Sequence, residues 1–487
     1  MYKRIISFLI FSLVYISAKN QPLALHPVNP HYFIYKSKPT VLITSAEHYG
    51  AVLNTAFDYK KYLQTLHRDG MNYTRIFAGS YVEIPGSFGI ENNTLAPAPG
   101  NFLAPWERTN ETGLHHEEKK FDLTLWNTKY FERLQNFVQL ADELDIVVEI
   151  TFFCSTYQDA YWERNPFNPK NNVNELPADL DRKNSNTLQN GNLTEFQKAM
   201  VKKIVTELNA FDNVFYEIQN EPWADNPQKA MRTLRTLDPN PGQGGWFKWA
   251  ETASEASLEW QNEMAKVLVE TESQLPKQHL IAQNYTNFKY SLPKVDPHVS
   301  ILNFHYAWPE AVWMNYGWDR AIGFDESGFA GSSDTTYVRQ AWQFMMAGGA
   351  IFNNLDYSFY TKYEDGTGAN NAQGGGSANL RKQLKIMVDF LKSFEFVKMK
   401  PDFTTIYHSP GAESQCISEP GKQYAIIFSG SAMENVKIHL PKGNYNYRFI
   451  SPFDGKPIKK GFFKHFKGEK ELSVPPFDEM IVLKITG

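Results

Sequence analysis

Hydrophobic and polar positions follow two alternating patterns along most of the chain. From about residue 39 to 395, short β-branched or aromatic runs alternate with longer segments whose apolar residues recur at helical spacing. This alternation is typical of βα units that build a parallel sheet. The pattern predicts eight strands: Thr40–Ser45, Tyr73–Phe77, Ile146–Phe153, Val214–Ile218, Leu280–Asn284, Ser300–Phe304, Ala321–Phe324 and Ala350–Leu355.

Helical spacing is clearest between the second and third of these strands, where Leu134, Phe137, Val138 and Ala141 fall on one face. The predicted helices are Tyr59–Arg68, Tyr130–Leu144, Leu193–Leu208, Ser254–Thr271, Tyr337–Met346 and Leu380–Phe394. Eight strands followed by helices predict an α/β chain with a (β/α)8 TIM barrel. Two long insertions, 78–122 and 156–193, follow strands and are therefore expected to wall a cleft at the catalytic face.

After Lys400 the sequence pattern changes to short segments of alternating apolar and polar residues, typical of strands, separated by turns that contain Gly, Pro and Asp. Examples are Gln423–Phe428, Val436–Leu440, Tyr445–Ile450 and Glu479–Ile485. This pattern predicts a C-terminal all-β sandwich. We therefore expect a barrel over 19–398 and an accessory sandwich over 399–487, and packing against the barrel is the favoured role of the sandwich over carbohydrate binding.

The first 18 residues have the pattern of a secretory signal peptide. Lys3 and Arg4 precede an apolar run, Ile5–Ile16, which ends in the small residues Ser17 and Ala18. The run is shorter than the roughly 20 residues of a membrane span, and no other segment is apolar enough to cross a membrane. The sequence predicts export to the periplasm or the extracellular medium after cleavage near Ala18.

Composition and charge exclude several classes of protein. Aromatic residues make up 15% of the 487 residues, which is too many for a disordered chain. The 49 basic and 53 acidic residues are interspersed, so nucleic acid is not an expected partner. Cys154 and Cys416 lie far apart and form no metal motif, which predicts two free thiols. The sequence predicts no particular oligomeric state.

Two predicted strands end in a carboxylate. The fourth strand runs into Asn220 and Glu221, and the seventh ends at Glu326. In a closed eight-stranded barrel the carboxyl ends of both strands face the same cleft. Two carboxyl groups about 5–5.5 Å apart are what a retaining glycosidase uses, one as nucleophile and the other as acid and then base.

Asn220-Glu221-Pro222 after the fourth strand, together with Glu326 after the seventh, resembles clan A of the glycoside hydrolases, and the overall pattern is closest to the cellulase-like family 5 proteins. The resemblance covers residues 39–395 and leaves the C-terminal tail, about residues 400–487, unassigned. It implies that Glu221 is the acid/base, Glu326 the nucleophile and Asn220 the partner of the sugar 2-hydroxyl.

The same resemblance implies several supporting residues. Arg75, ending the second strand, matches an arginine that supports the nucleophile, although a structural ion pair is the alternative. His305 and Tyr306, ending the sixth strand, resemble a His and a Tyr that line the cleft, and His305 could instead be a hydrogen-bonded core residue. Asp325 is expected to be structural, because alternation turns it away from its neighbour Glu326. His48, ending the first strand, is a candidate contact for sugar hydroxyls.

The chain departs from the family pattern at two strand ends. Family 5 proteins usually have a Trp at the end of strand eight and a His near the end of strand three, whereas 355–360 reads LDYSFY and 151–154 reads TFFC here. Substrate contacts are therefore expected to differ from those of a simple cellulase. Asp356, Tyr357 and Phe359 are the candidates to replace the missing ring.

Tryptophans in the loops are candidates to stack on sugar rings, because their faces are large and apolar. Packing is the alternative for each of them, since Trp is highly buried on average. We expect two or three of six to form subsites, Trp223 and Trp308 first; the others are Trp106, Trp162, Trp313 and Trp318.

The sequence as a whole predicts a secreted retaining glycoside hydrolase that cleaves β-linked poly- or oligosaccharides by double displacement. Repulsion between the two close carboxylates raises the proton affinity of one of them, which suits the acid role. This chemistry requires no metal or organic cofactor. The alternatives are a non-catalytic carbohydrate-binding protein on a glycosidase-like barrel and a transglycosylase.

Overall fold

The computed structural model describes residues 21–114, 118–233, 246–369, 372–430 and 433–487. The predicted signal peptide and its cleavage site lie outside these ranges. Among the described helices, none combines the length and the apolar character that a membrane crossing requires. Cys154 and Cys416 are free and buried, as predicted.

Eight parallel strands form a nearly closed barrel, which confirms the predicted fold class. They are β1 Leu42–Ala46, β2 Tyr73–Phe77, β3 Val147–Cys154, β4 Val214–Asn220, β5 Ile281–Asn287, β6 Ile301–His305, β7 Ala321–Ser327 and β8 Ile351–Leu355. Hydrogen-bonded pairing runs from β2 through β3, β4, β5, β6, β7 and β8 to β1. Asn72 crosses the remaining seam, because its side chain accepts from the Ile43 N–H (2.9 Å) and donates to the Val41 carbonyl (2.8 Å).

Every residue of the eight strands is buried. Burial on both faces is typical of parallel strands covered by helices. The helices are α1 Tyr59–Arg68, α2 Thr128–Glu143, α3 Leu193–Leu208, α4 Glu255–Glu272, α5 Pro309–Asn315, α6 Asp334–Met346 and α7 Ala378–Lys392. The described connection from β5 to β6 contains no helix, against the expected alternation; Pro293 and Pro297 interrupt helical hydrogen bonding there.

Insertions follow β2, β3 and β4 at the carboxyl end of the barrel. They contain the hairpin Trp106–Thr112/Lys119–Trp126, the helix Asp159–Trp162, the hairpin Gln228–Arg232/Trp249–Thr252, and the 3-10 turns Ser87–Gly89 and Trp246–Lys248. A small sheet, Ala24–Leu25, Phe33–Tyr35 and Lys38–Thr40, lies at the opposite end, where the Leu23 N–H bonds to the Asp212 carbonyl just before β4. Two further 3-10 turns are Tyr316–Trp318 and Phe396–Lys398.

The C-terminal segment folds into two antiparallel sheets, as predicted. Its strands are β9 Lys400–Pro401, β10 Ile406–His408, β11 Ala412–Glu419, β12 Gln423–Gly430, β13 Asn435–His439, β14 Gly443–Ile450, β15 Pro457–His465, β16 Glu469–Ser473 and β17 Met480–Thr486. The larger sheet has the order β9-β11-β12-β17-β14-β15 and the smaller β10-β13-β16. Ile426 and Leu483 fill the space between the sheets, whereas Ile427 and Val482 join the core of the barrel.

Candidate active site

A cavity of about 370 Å³ lies at the carboxyl end of the barrel strands. Six of the residues predicted from the sequence line it: His48, Asn220, Glu221, Trp223, Tyr306 and Glu326. They come from the ends of β1, β4, β6 and β7 and from the residues that immediately follow these strands. Parallel strands bring their carboxyl ends to one edge, which is why residues so distant in sequence meet here.

Glu221 and Glu326 form a close carboxylate pair. One oxygen of each lies within 4.8 Å of the other, and His305 Nδ1 lies between them, 3.0 Å from Glu221 Oε1 and 3.4 Å from Glu326 Oε1. This approach of the two oxygens is no wider than the separation of about 5–5.5 Å between the carboxyl groups of a retaining glycosidase. An inverting arrangement would require a gap of roughly 6.5–9.5 Å for the attacking water.

Tyrosine hydroxyls hold both members of this carboxylate pair. Tyr157 donates to Glu221 Oε2 at 2.7 Å, Tyr306 donates to Glu326 Oε1 at 2.8 Å, and Tyr49 donates to Glu326 Oε2 at 3.0 Å. The sequence identified Tyr306 but neither of the other two. Tyr49 follows His48 directly at the end of β1, a position that could have indicated it, whereas Tyr157 lies in an irregular insertion without any periodic signal.

The surroundings of Glu326 favour its ionised form. Burial alone would raise its pKa, but His305, Arg75 and the Tyr306 hydroxyl outweigh burial and lower the pKa to about 2. Burial disfavours the charged form of His305 as well and would lower its pKa. The carboxylates of Glu326 and Asp325 outweigh burial and raise the pKa of His305 well above the ordinary value. A carboxylate and an imidazolium therefore stand side by side at neutral pH.

Arg75 lies one layer below the carboxylate pair, completely buried. Its guanidinium forms a short ion pair with Glu217, donates to Asn220 Oδ1 at 2.9 Å and reaches Glu326 Oε2 at 3.4 Å. Asn220 donates in turn to the Tyr157 hydroxyl at 2.9 Å. Arg75 therefore combines the two alternatives that the sequence left open. It forms a structural ion pair with Glu217, and it also contacts Glu326.

Asp325 points into the barrel, and the predicted orientation away from Glu326 is wrong. Its Oδ2 lies 3.4 Å from Arg75 and 3.5 Å from His305 Nε2. The register explains the difference: Phe304 pairs with Phe324 but His305 pairs with Glu326, so Asp325 is an extra residue in β7. Such a bulge breaks the alternation of side chains on which the prediction depended.

Five residues of the pocket wall have a left-handed backbone. The φ angles are +62° at Tyr49, +55° at Phe88, +45° at Glu221, +50° at Tyr306 and +54° at Phe329. Such angles are uncommon for residues other than glycine and cost free energy. The turn at Glu221 is held by its own N–H, which donates to Asn284 Oδ1 at 2.9 Å. Strain of this kind clusters at functional sites.

Two groups of three side chains among the described residues bring ligand-type atoms within 4.8 Å of one another: Glu221, His305 and Glu326, and below them Glu149, Glu217 and Asp325. In the upper group the tyrosine hydroxyls and His305 already engage the carboxylate oxygens. In the lower group the Arg75 guanidinium contacts Glu217 and Asp325. Hydrogen bonds and ion pairs within the protein therefore account for both groups.

His48 and Glu83 form a second polar pair in the pocket wall. His48 Nε2 lies 3.3 Å from Glu83 Oε2, and the Tyr81 hydroxyl donates to Glu83 Oε1 at 3.1 Å. Burial opposes protonation of His48, but the carboxylates of Glu83 and Glu326 raise its pKa. Glu83 lies in the insertion after β2, where the sequence offered no signal for it.

The structure brings one of the six candidate tryptophans to the wall of this cavity. Trp223 lines it and packs edge-on against His305, with ring centroids 5.6 Å apart. Trp308 lies outside the wall, where it packs against Phe288 (centroids 5.7 Å apart) and beneath the Lys289 ammonium (4.8 Å). The other four are buried or partly exposed elsewhere: Trp106, Trp162, Trp313 and Trp318.

Tyr357 is the one of the three strand-eight candidates that contacts a residue of the pocket wall. It packs against His48, with centroids 5.9 Å apart. Asp356 instead binds the buried Arg381 (2.7 Å), and Phe359 packs edge-on against Tyr62. Of the three candidates, the structure therefore leaves Tyr357 beside the pocket.

Comparisons with known proteins give a likeness of structure. No family model and no curated protein matches the sequence. Three solved structures are similar over 96% of this chain: a candidate glycoside hydrolase from Bacteroides vulgatus ATCC 8482 (TM-score 0.64, 13% identity, 82% of that chain covered), a protein named glycoside hydrolase (0.61, 11%, 97%) and a glycoside hydrolase family 5 protein from Bacteroides vulgatus ATCC 8482 (0.60, 11%, 93%).

The extent of this likeness is informative because 96% of the chain cannot be covered by the barrel alone. The C-terminal sheets are therefore included in it. At 11–13% sequence identity the comparison supports a shared fold and does not establish a shared reaction. The predicted resemblance to family 5-type barrels is confirmed at this level: the chain has the fold of these glycoside hydrolase structures.

Proposed function

We propose that this protein is a secreted retaining glycoside hydrolase that cleaves β-linked poly- or oligosaccharides. The observation that carries the proposal is the pair of carboxylates at the ends of β4 and β7, whose oxygens approach within 4.8 Å inside a 370 Å³ cavity. Carboxyl groups at this separation suit a double displacement at a sugar carbon. The fold shared with glycoside hydrolase structures adds support.

In the first step the Glu326 carboxylate attacks the anomeric carbon while Glu221 gives its proton to the glycosidic oxygen, and the alcohol leaves. In the second step Glu221 takes a proton from water, whose oxygen attacks the same carbon and releases Glu326. The low pKa of Glu326 keeps it ionised for the attack. Tyr157, within 2.7 Å of Glu221, and Tyr306, within 2.8 Å of Glu326, orient the two carboxyl groups.

Catalysis is favoured over sugar binding alone by the state of this pair. A binding protein has no need for two carboxylates that share His305, nor for a buried carboxylate with a pKa near 2. Perturbed pKa values of this kind cluster at catalytic sites. Asn220, fixed between Arg75 and Tyr157, is proposed to contact the sugar 2-hydroxyl.

The proposal is tested by product analysis with β-glucans, mannans, xylans and galactans and with the matching dinitrophenyl β-glycosides. Glu326→Ala should abolish cleavage of both kinds of substrate. Glu221→Gln should lower the rate on polymers by roughly 10²–10⁴-fold but spare the first step on the dinitrophenyl glycosides, seen as a burst of dinitrophenol, because that leaving group needs no proton. The second step, in which Glu221 serves as the base, should slow for both kinds of substrate. Glu259→Gln, at an exposed position of α4, is the matched control.

Three results would speak against this assignment. Retained activity in Glu326→Ala would remove the proposed nucleophile. Glycan binding by the wild type without any cleavage would identify a binding protein. Longer products at high acceptor concentration would identify a transglycosylase, in which a sugar intercepts the same intermediate before water does.

Export is part of the proposal, and it depends on the N-terminal pattern of Lys3, Arg4 and the apolar run before Ala18. Mass spectrometry of protein recovered outside the cytoplasm should give the mass of a chain that begins near residue 19. A full-length mass would contradict the proposed cleavage.

A further inference from the structure

Two phenylalanines from opposite sides of the barrel meet over the mouth of the pocket. Phe88 lies in the turn Ser87–Gly89 of the insertion after β2, and Phe329 follows β7. Their ring centroids are 6.4 Å apart in an edge-to-face arrangement. In a ring of eight strands the second and third strands lie across from the seventh, so this phenylalanine bridge spans the mouth.

The phenylalanine bridge is connected through rings to both carboxylates. Phe88 packs edge-on against Tyr157 (centroids 5.0 Å apart), which donates to Glu221. Phe329 packs edge-on against Tyr306 (6.0 Å), which donates to Glu326. A continuous row of four aromatic rings therefore connects the hydroxyl that binds Glu221 with the hydroxyl that binds Glu326.

The backbone around the bridge is strained, which argues against an incidental contact. Phe88 has φ +55° and stands between Gly86 (+82°) and Gly89 (+75°), while Phe329 has φ +54°. A large side chain in the left-handed region costs free energy that glycine would avoid. Phe88 also keeps 39% of its surface exposed, so core packing is not what holds a phenylalanine here.

The bridge separates two walls of the pocket with different chemistry. On one side Trp223 and Glu251 follow β4, next to the proposed acid Glu221. On the other side His48 and Glu83, after β1 and β2, form their hydrogen-bonded pair. Because the acid protonates the departing oxygen, the leaving group belongs on the Glu221 side. The sugar that is attacked then lies below the bridge, toward His48 and Glu83.

We infer that the protein removes single sugars from chain ends, and that Phe88 enforces this mode by closing the pocket over the terminal sugar. The inference rests on the proposed function. A cavity of about 370 Å³, near the lower end of small-molecule pockets, with a ring bridge across its mouth admits the end of a chain and not a segment that continues on both sides.

The test uses β-linked hexasaccharides of glucose, mannose, xylose and galactose, labelled at the reducing end, with the full chain as wild type and as Phe88→Ala. On the series that it cleaves, the wild type should release free monosaccharide and leave labelled products that shorten by one residue at a time. Phe88→Ala should raise the share of internal cuts by roughly tenfold, the change that about 1.4 kcal/mol produces.

Two further variants separate specificity from folding, and a third tests the contribution of Glu83. Phe462→Ala, at a 62% exposed ring of the tail, should retain the wild-type product series. Phe88→Tyr keeps an aromatic ring at this position and should therefore give the same product series as the wild type. Glu83→Gln should raise KM for dinitrophenyl monoglycosides more than it lowers kcat, since Glu83 lines the side of the pocket inferred to hold the sugar and does not touch Glu221 or Glu326 in the hydrogen bonds described above.

The outcomes distinguish this inference from the proposed function. Internal fragments from the wild type at the earliest times, or an unchanged series in a folded Phe88→Ala, would overturn the inference and leave the glycosidase assignment standing. Failure to cleave any hexasaccharide or dinitrophenyl glycoside would overturn both.

Discussion

His305 contacts both carboxyl groups of the proposed mechanism, the acid/base Glu221 and the nucleophile Glu326. Its Nδ1 faces both Glu221 and Glu326, and its Nε2 faces Asp325 at 3.5 Å. A positive charge at this point offsets the repulsion between the carboxylates and keeps Glu326 ionised. His305 is buried completely and is therefore a positioning residue, which acts on the sugar only through the two carboxyl groups.

Replacing Tyr306 by Phe tests how Glu326 is held in its ionised state. The Tyr306 hydroxyl is one of the groups that lower the pKa of Glu326 to about 2. Activity requires the ionised form and falls as the pH drops through this pKa, so losing the hydroxyl should move the acid limb of kcat/KM to higher pH. The loss of a hydrogen bond to a charge should also lower kcat/KM by roughly tenfold to a hundredfold.

The pH profile of kcat/KM provides the measurement for Tyr306→Phe. Tyr407→Phe, at a 59% exposed ring in the tail, serves as the control and should match the wild type. An acid limb at the same pH in Tyr306→Phe and wild type would show that this hydroxyl does not stabilise the Glu326 carboxylate.

Residues at strand ends were predictable, and residues of the insertions were not. Glu221 and Tyr306 each directly follow a strand and Glu326 lies at the end of one, so the barrel geometry brings them together. Glu83 and Tyr157 lie in insertions whose path depends on irregular turns and on contacts made only in the folded chain. No periodicity of the sequence indicates where such segments place a side chain.

At the scale of elements, the insertions after β3 and β4 are joined by a buried carboxyl group. Asp225 accepts from the Thr156 N–H at 2.9 Å. Burial raises the pKa of Asp225 to about 7, although hydrogen bonds and Arg182 oppose the shift. These two insertions carry Tyr157 and Trp223, so the connection fixes one side of the pocket.

Asp225 should make the protein less stable as the pH rises. The folded chain keeps the Asp225 proton up to about pH 7, whereas the unfolded chain loses it near 3.8. The stabilising contribution is therefore complete below about pH 4 and is lost progressively up to about pH 7. Asp225→Asn cannot ionise, so it should gain stability relative to the wild type between these limits.

Denaturant unfolding at about pH 4.5 and 7.5 measures this effect. The free energy of unfolding of Asp225→Asn minus that of the wild type should be more positive at the higher pH. Asp179→Asn, at an exposed position of the insertion after β3, is the control and should show no such change. Equal differences at both pH values would contradict a raised pKa at Asp225.

Elements with strong periodicity were predicted well, and the polar ends of strands were not. The predicted bounds of α1 and α3 equal the observed ones, because their apolar stripes are regular. The fourth strand was predicted to end at Ile218 but continues to Asn220, since Gln219 and Asn220 still pair with β3. Polar side chains that point into a barrel mouth resemble a loop in sequence.

For the whole molecule, the larger C-terminal sheet continues the hydrophobic core of the barrel. Ile417, Ile427 and Val482 belong to the same buried cluster as the barrel strands, and β11 and β12 contact α6. The assignment of 399–487 as a separate accessory domain stays a prediction. Its buried contact with the barrel favours a structural role.

Removing residues 399–487 should therefore destabilise the barrel. The truncation removes Ile427 and Val482 from the hydrophobic cluster that they share with the barrel and so exposes apolar surface, which promotes aggregation. Soluble yield, size-exclusion chromatography and thermal melting compare the truncated and full chains. A soluble, monodisperse barrel with an unchanged melting temperature and weaker polymer binding would instead assign the sandwich to carbohydrate binding.

The most direct test of the account is to trap the covalent intermediate. Dinitrophenyl 2-deoxy-2-fluoro-β-glycosides of several sugars should react because their leaving group is good, and the fluorine slows release by destabilising the oxocarbenium-like transition state. Mass spectrometry of the intact protein and of its peptides should then find one added sugar, attached to Glu326 and absent from Glu326→Ala. Hydrolysis without any trapped sugar, or a sugar attached to another residue, would contradict the two-carboxylate mechanism proposed for this protein.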